Sequence, residues 1–156
     1  MSPVAIRRMR REDLPQVMEI ENASYTAPWP EASFRGLLRR PDAAIFVAEN
    51  EGEIVGYAAS WAVLDQGELG NIAVAPGHRG QGVAKRLMDA VIEEMRERGV
   101  HELYLEVRVT NTVAQHLYEQ YGFVEIGCRP NYYTSPIEDA IVMRRRIERP
   151  DSFDST

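Results

Sequence analysis

"APGHRGQGVAKRLM", residues 75–88, places Arg79 and two glycines, Gly80 and Gly82, directly ahead of a run with helical apolar spacing. Glycine in a first helical turn costs up to about 1 kcal/mol against alanine, so a compensating interaction is expected there. Helix N-termini present unpaired N–H groups and a partial positive charge. A glycine lets a ligand approach them without meeting a Cβ, and a phosphate is the ligand such a place suits best. Two familiar phosphate loops do not fit. A P-loop requires G-x-x-x-x-G-K-[ST], yet the Gly77 to Gly82 spacing is followed by Val83 and Ala84. A dinucleotide fingerprint needs a further glycine where Lys85 stands, and it follows the first strand of a βαβ unit rather than several antiparallel-looking strands.

Upstream of this stretch, AAIFVAEN (43–50), EIVGYAASWAVL (53–64) and GELGNIAVA (67–75) read as strands. Glu51-Gly52 joins the first two as a tight hairpin. Residues 4–9 read as a short strand. Asp13, with Gln16 three residues on, gives a capping-box-like start to a helix whose apolar face is Leu14, Val17, Met18 and Ile20. "TAPWPEASF" breaks that helix, and Glu31 to Arg40 is expected to form a second. Downstream, the helix opening near Gly80 ends at Gly99, as a C′ glycine would end it. ELYLEV (102–107) is a strand, and 112–121 a helix carrying Ala114, Leu117, Tyr118 and Tyr121 on one face. FVEIGCR (123–129) and DAIVMRRRI (139–147) close the pattern as strands flanking a loop, PNYYTSPIE. The order predicts one mixed α/β (α+β) domain over residues 1–148, with about seven strands and about four helices. Residues 149–156 read as a disordered tail.

Bulk properties narrow the function. A chain of 156 residues that is 44% hydrophobic can bury a core of its own. The net charge of −6 argues against nucleic acid as main partner. Two basic runs, Arg7, Arg8, Arg10 and Arg11, then Arg144 to Arg146, read as solvated faces, with attraction for an anionic ligand as the alternative. No apolar run of about 18 residues suggests a membrane span, and MSPVAIRRMRRED lacks the apolar centre of a secretory signal. With Cys128 as the sole cysteine, no intrachain disulfide can form, which suits a reducing cytoplasm. Cys128 itself reads as a small core hydrophobe. His78, His101 and His116 have no metal-ligand spacing, so no metal is expected, and His78 reads as solvent-exposed.

R-x-x-G-x-A over Arg79 to Ala84, preceded by N-I-A-V at 71–74, resembles the acyl-CoA signature of the GNAT superfamily of N-acetyltransferases. In element order the resemblance runs from residue 4 to residue 147. It implies the GNAT fold: a mixed, mostly antiparallel central sheet whose strands splay at the acetyl-CoA site. It also implies that the backbone of Ile72, Ala73 and Val74 bonds the pantetheine arm. The loop amides of Gly80, Gln81, Gly82, Val83, Ala84 and Lys85 would hold the pyrophosphate, with Arg79 a further cofactor-binding residue of the same motif. "LEVRVTNTVAQHLYEQYGF" (105–123) is similar to the ribosomal-protein-alanine N-acetyltransferase branch, as are "APW" at 27–29 and "NYY" followed by "EDA" at 131–140.

This second resemblance gives Glu106 the role of proton acceptor, Tyr118 that of proton donor to the CoA sulfur, and Asn111 a pantetheine contact. Trp29, Tyr132 and Tyr133 would lie on two loops flanking the acceptor groove. Each has a plainer alternative: a solvated carboxylate, a core tyrosine, a helix cap, aromatics that pin loops. Glu68 competes for the role of base, because its position resembles the base of the histone-acetylating branch. TSPIE at 134–138 departs from the branch, where a "DG" turn is more usual, in the loop that the resemblance has shaping the acceptor site. Acyl transfer needs a neutral amine. At pH 7 an α-amino group reaches that state for about 1 kcal/mol, a lysine for about 4.6 kcal/mol, so an ordinary carboxylate suffices for the former. The implied activity is transfer from acetyl-CoA to a protein's free N-terminus, of the ribosomal-protein alanine type. Acetylation of a lysine side chain or small amine is the alternative; a non-catalytic acyl-CoA-binding module is the more distant one.

Overall fold

The structure is a computed structural model and describes residues 4–148. In chain order it comprises β1 (Ala5–Arg8), α1 (Leu14–Ser24), α2 (Glu31–Leu38), β2 (Ala43–Asn50), β3 (Glu53–Val63), β4 (Gln66–Val74), α3 (Val83–Glu97), β5 (Glu102–Arg108), α4 (Thr112–Gln120), β6 (Val124–Tyr133) and β7 (Glu138–Arg146). Short 3-10 turns stand at Arg11–Asp13 and Pro76–His78. The seven strands form one sheet in the order β1-β2-β3-β4-β5-β7-β6. β4 and β5 run parallel, whereas β1/β2, β2/β3, β5/β7 and β6/β7 are antiparallel. The expected mixed, mostly antiparallel sheet and four α-helices are therefore present.

Local chemistry sets most of these boundaries. Glu51 and Gly52 both take positive φ, 52° and 85°, as the primed turn of a two-residue hairpin requires. Gly99 and Gly122, at φ 77° and 84°, stop the chain after α3 and α4. The β4–β5 ladder covers only Gln66↔Glu102, Gly67↔Leu103 and Glu68↔Tyr104. Beyond Tyr104, β5 keeps its antiparallel pairing with β7 as far as Arg108↔Ala140.

Contacts divide the chain into two compact units. One runs to Trp61 and resumes over Leu69–Val91; the other takes Ala62–Glu68 and continues from Ile92. The first is built on Val17, Phe34, Val47 and Tyr57, all fully buried, with Met9, Leu14, Ile20, Leu37, Ile45 and Ile54 around them. Each such apolar side chain contributes roughly 1.5–3 kcal/mol, and truncating Phe34 to alanine would cost about 3–5 kcal/mol. In the second, β5 alternates Leu103, Leu105 and Val107 inward, and Met95, Phe123 and Met143 are buried in the same unit.

Five local expectations are corrected. Asp13 does not cap α1 with its side chain. Its carboxylate is taken by the Arg7 guanidinium at 2.8 and 2.9 Å and by the Arg10 N–H at 2.7 Å, which hold it below the usual carboxylate range. Gln16 accepts instead from the Ile54 N–H at 2.9 Å. Gly80 and Gly82 precede α3 rather than occupying its first turn. The second helix ends at Leu38, not Arg40. PNYY is not loop: β6 runs on to Tyr133, with a register shift between Arg129 and Tyr133. Pro130 is tolerated because β6 ends the strand order, and an edge strand can spare a ladder N–H. Cys128 is exposed, because edge position leaves β6 solvent-facing along nearly its whole length.

The basic runs are engaged within the molecule. Arg7 pairs with Asp13 and Glu49, Arg144 and Arg146 stand 3.7 and 4.0 Å from Glu102, and Arg145 donates to the Tyr121 carbonyl at 2.6 Å. The expected tail, residues 149–156, lies outside the described residues.

Candidate active site

Within the first unit, β4 delivers N-I-A-V to the turn before α3. Gly80 and Gly82 have φ of 78° and 82°. A Cβ built on either would meet nothing within 4 Å. Backbone conformation, not crowding, therefore demands glycine there, and the space beside both is open. The Gly82 carbonyl accepts from the Arg86 N–H at 3.2 Å, so helical bonding starts at Gly82. Gln81 and Lys85 are exposed, Val83 is buried and Ala84 half-buried. Arg79 donates from Nε to the Val74 carbonyl at 2.9 Å and from its terminal nitrogen to Ser24 Oγ at 3.3 Å, which ties the turn to the end of β4. His78 is half-buried rather than exposed, and its Nδ1 is buried without a hydrogen-bond partner.

Along β4, Ala73 and Val74 are buried. The Ile72 carbonyl accepts from the Tyr25 hydroxyl at 2.7 Å. Burial, with the Glu21 charge nearby, pushes the Tyr25 phenol up to about 12, so it stays a donor. Trp29 is half-buried, its ring 5.3 Å from Phe34 and 6.2 Å from Trp61. Trp29 and Trp61 also line an open cavity of ≈ 360 Å³ with Ala32, Ser33 and Gly36 on α2.

Within the second unit, β5 holds Glu106 with its side chain 15% exposed. Arg129 on β6 approaches it at 3.4 Å from Nε, and the same guanidinium lies 5.8 Å from the Tyr132 ring. Glu68 joins the cluster: burial, and then the Glu106 charge, raise its carboxyl above the usual range against the opposing effect of Arg129. The Tyr132 phenol is raised by burial and by the same two carboxylates. Two carboxylates, a cation and a phenol thus share one field. Tyr118 is 7% exposed on α4, packed 5.8 Å from Phe123. Asn111 caps α4, its Oδ1 accepting from the Ala114 N–H at 3.1 Å.

Sequence reading missed two clamps. Arg108, the last residue of L-E-V-R, donates to the carbonyls of Thr134 at 2.8 Å and Pro136 at 3.1 Å and to Glu138 at 3.0 Å, while stacking 4.5 Å over Tyr133. It fixes the divergent TSPIE segment and the two tyrosines before it, which pack edge to face at 5.0 Å. The second is the buried carboxylate of Glu21, which accepts from the Trp29 N–H, from Asn71 and from Tyr57. The spacing of 50 residues between Glu21 and Asn71 left no local signal for it. Among the described residues no group of three or more His, Cys, Asp or Glu could hold a metal ion.

The model of the Acetyltransferase (GNAT) family matches residues 14–123. A Bacillus subtilis protein assigned provisionally as a ribosomal protein bS18-alanine N-acetyltransferase is 43% identical over 140 residues, covering 89% of this chain and 93% of that one. The Escherichia coli ribosomal protein bS18-alanine N-acetyltransferase is 38% identical over 140 residues, 88% of this chain and 94% of its own. The crystal structure of the ribosomal-protein-S18-alanine N-acetyltransferase from Escherichia coli superposes with a TM-score of 0.86 at 36% identity, over 94% of this chain and 95% of that chain. The chain belongs to the GNAT family of acetyltransferases and, within it, to the ribosomal-protein-alanine N-acetyltransferase branch.

Proposed function

We propose that this protein acetylates the free N-terminal amine of a protein, a ribosomal protein with an N-terminal alanine, using acetyl-CoA and direct attack by the amine. Both units would serve as one acetyltransferase domain over residues 1–148, acting in the cytoplasm where ribosomal proteins are made. The acceptor class rests on relatives named for that activity that span nearly the whole chain. The residues present fit the donor. The turn at Gly80 and Gly82 leaves open space beside two left-handed backbone positions, and the first-turn N–H groups of α3 that follow suit a diphosphate. Gly80 to Lys85 would hold that diphosphate, with Arg79 bracing the turn. Ile72, Ala73, Val74 and Asn111 would hold the pantetheine arm. When bound, the donor supplies an acetyl thioester whose sulfur leaves as a thiol.

The observation that carries the proton chemistry is the Glu106 cluster. A partly covered carboxylate faced by an exposed arginine at 3.4 Å keeps a lone pair for an incoming ammonium. Glu106 accepts the proton of the α-ammonium, directly or through a water, and that step costs only about 1 kcal/mol at pH 7. Tyr118 donates its phenolic proton to the sulfur. Trp29, Tyr132 and Tyr133 line the acceptor, Trp29 beside its first side chain and the tyrosines along its backbone. A second reading, a lysine acceptor with Glu68 as base, is favoured by the raised Glu68 carboxyl, since a stronger base suits a more basic amine.

Mass spectrometry of acetyl-CoA reactions with paired peptides tests the proposal. One set begins with free Ala, Ser, Thr or Met; the other is blocked at its N-terminus and carries an internal lysine. Acetylation confined to free N-termini, with Ala foremost, is the expected outcome. Modification of the blocked set at lysine would overturn it.

A further inference from the structure

The acetyl transfer described above makes no use of Glu21, yet this carboxylate is 0% exposed. Its partners are all neutral donors. Oε1 receives the Tyr57 hydroxyl and Asn71 Nδ2 at 3.2 Å; Oε2 receives the Trp29 N–H at 2.8 Å and Asn71 Nδ2 at 2.9 Å. A buried carboxylate is tolerable only when its lone pairs are met, and here donors on three separate segments meet them. Packing alone would be served as well by an apolar side chain of similar volume. The charge therefore has a directional task.

The donors say what that task is. Pro28 and Pro30 have no N–H, so the Trp29 N–H is the sole backbone donor in Pro28-Trp29-Pro30, and Glu21 captures it. Asn71 lies on β4 immediately before Ile72, whose carbonyl takes the Tyr25 hydroxyl, so α1 and the chain just after it grip β4 at two successive residues. The Trp29 ring then rests over Gly70. A Cβ there would come within 2.6 Å of Trp29 and 2.5 Å of Trp61, so the ring has a single seat.

We propose that Glu21 is a positioning residue that locks the Trp29 segment to β4 and so shapes the pocket for the acceptor's first residue. The proposal rests on the reading of Trp29 as an acceptor-lining residue. Loss of the lock frees Trp29 to shift, which weakens acceptor binding and blurs selectivity without touching the proton-transfer groups or the turn before α3.

The test is steady-state kinetics of Glu21→Gln with acetyl-CoA and peptides beginning Ala, Ser, Thr or Met, alongside thermal unfolding. Expected is a rise of about tenfold in acceptor KM, a flattened preference among first residues, and kcat and acetyl-CoA KM within about threefold of wild type. The amide that E21Q introduces would donate toward Asn71, so the double variant E21Q/N71D, which restores a donor–acceptor match, should recover most of the acceptor KM. Folded E21Q with unchanged acceptor KM and preference would overturn the proposal, as would equal losses in both KM values and kcat. If E21Q does not fold, Asn71→Ala removes only the β4 side of the lock: a raised acceptor KM supports the proposal and an unchanged one overturns it. Wild-type acceptor choice is measured first. Acetylation of lysine alone would overturn the N-terminal reading, and the split between acceptor and acetyl-CoA KM would then be read on the lysine peptide.

Discussion

Glu21 and Glu106 are both carboxylates at the heart of their units, and their surroundings differ in kind. Glu21 is sealed from water and met by neutral donors on β3, on β4 and in the chain after α1. Glu106 is partly covered and shares its field with Glu68, Tyr132 and a largely exposed Arg129. Four contacts saturate the first, so it is suited to holding geometry. Among the described residues the second has one long contact, with a mobile type of side chain, which suits it to exchanging a proton. An anion's task follows from how completely its lone pairs are already spent.

The sharpest way to break this contrast is Glu106→Gln, for which kcat should fall about 10²–10³-fold with acetyl-CoA KM unchanged in steady-state assays. A Glu68→Gln enzyme as weak as E106Q would show that the proton is taken by the pair rather than by Glu106. Next in size is Tyr118→Phe, with a loss of about 10–100-fold in kcat. An acetyl donor with a more acidic thiol needs no proton on its sulfur, so the deficit should shrink with such a donor. No shrinkage would remove Tyr118 from the proton path.

Arg129→Gln should act through pH. Its guanidinium opposes the upward shift of the Glu68 carboxyl, so its removal raises that carboxyl further. The acid limb of the kcat/KM profile should move to higher pH, with activity at pH 8 within about threefold. A limb that stays put would mean that Arg129 contributes no field to the reaction.

The smallest effect is on stability. Glu68 binds its proton more tightly folded than unfolded, so its contribution to stability is greatest at acid pH and declines as pH rises past the ordinary carboxylate range toward its raised value. Glu68→Gln should therefore be more stable than wild type at pH 7 and nearly equal to it at pH 4. Because the group is half covered, solvent screening holds the gain below about 1 kcal/mol, which corresponds to a Tm higher by about 1–3 °C. The difference between variant and wild type at each pH isolates Glu68 from carboxylates that shift the other way, such as Asp13 and Glu138.

Elements with local causes were legible in the sequence. The Glu51-Gly52 turn, the stops at Gly99 and Gly122 and the span of β2 depend on residues within a few positions of one another. Asn111 was legible both as a cap and as part of a motif. Partners distant in the chain were not. Asp13 was misread even with near partners, because an Asp with Gln16 three residues on matches a cap whether or not Arg7, six residues back on β1, takes its carboxylate. Glu21 drew no attention in the sequence, since two of its partners, Tyr57 and Asn71, lie 36 and 50 residues away. Cys128 and the PNYY segment were misjudged for a single reason: apolar content does not reveal that β6 ends the strand order, and burial depends on that order.

The same edge position hands the experimenter a reporter site. Cys128 is the chain's sole thiol, exposed on β6 and paired in register with Ile141. Its neighbour Arg129, next in the strand, points to the other face, toward Glu106. A fluorophore attached at Cys128 would thus ride on the far side of the strand from the carboxylate. It could report changes around Arg129 when a peptide is added, in the wild-type sequence and with no cysteine to remove.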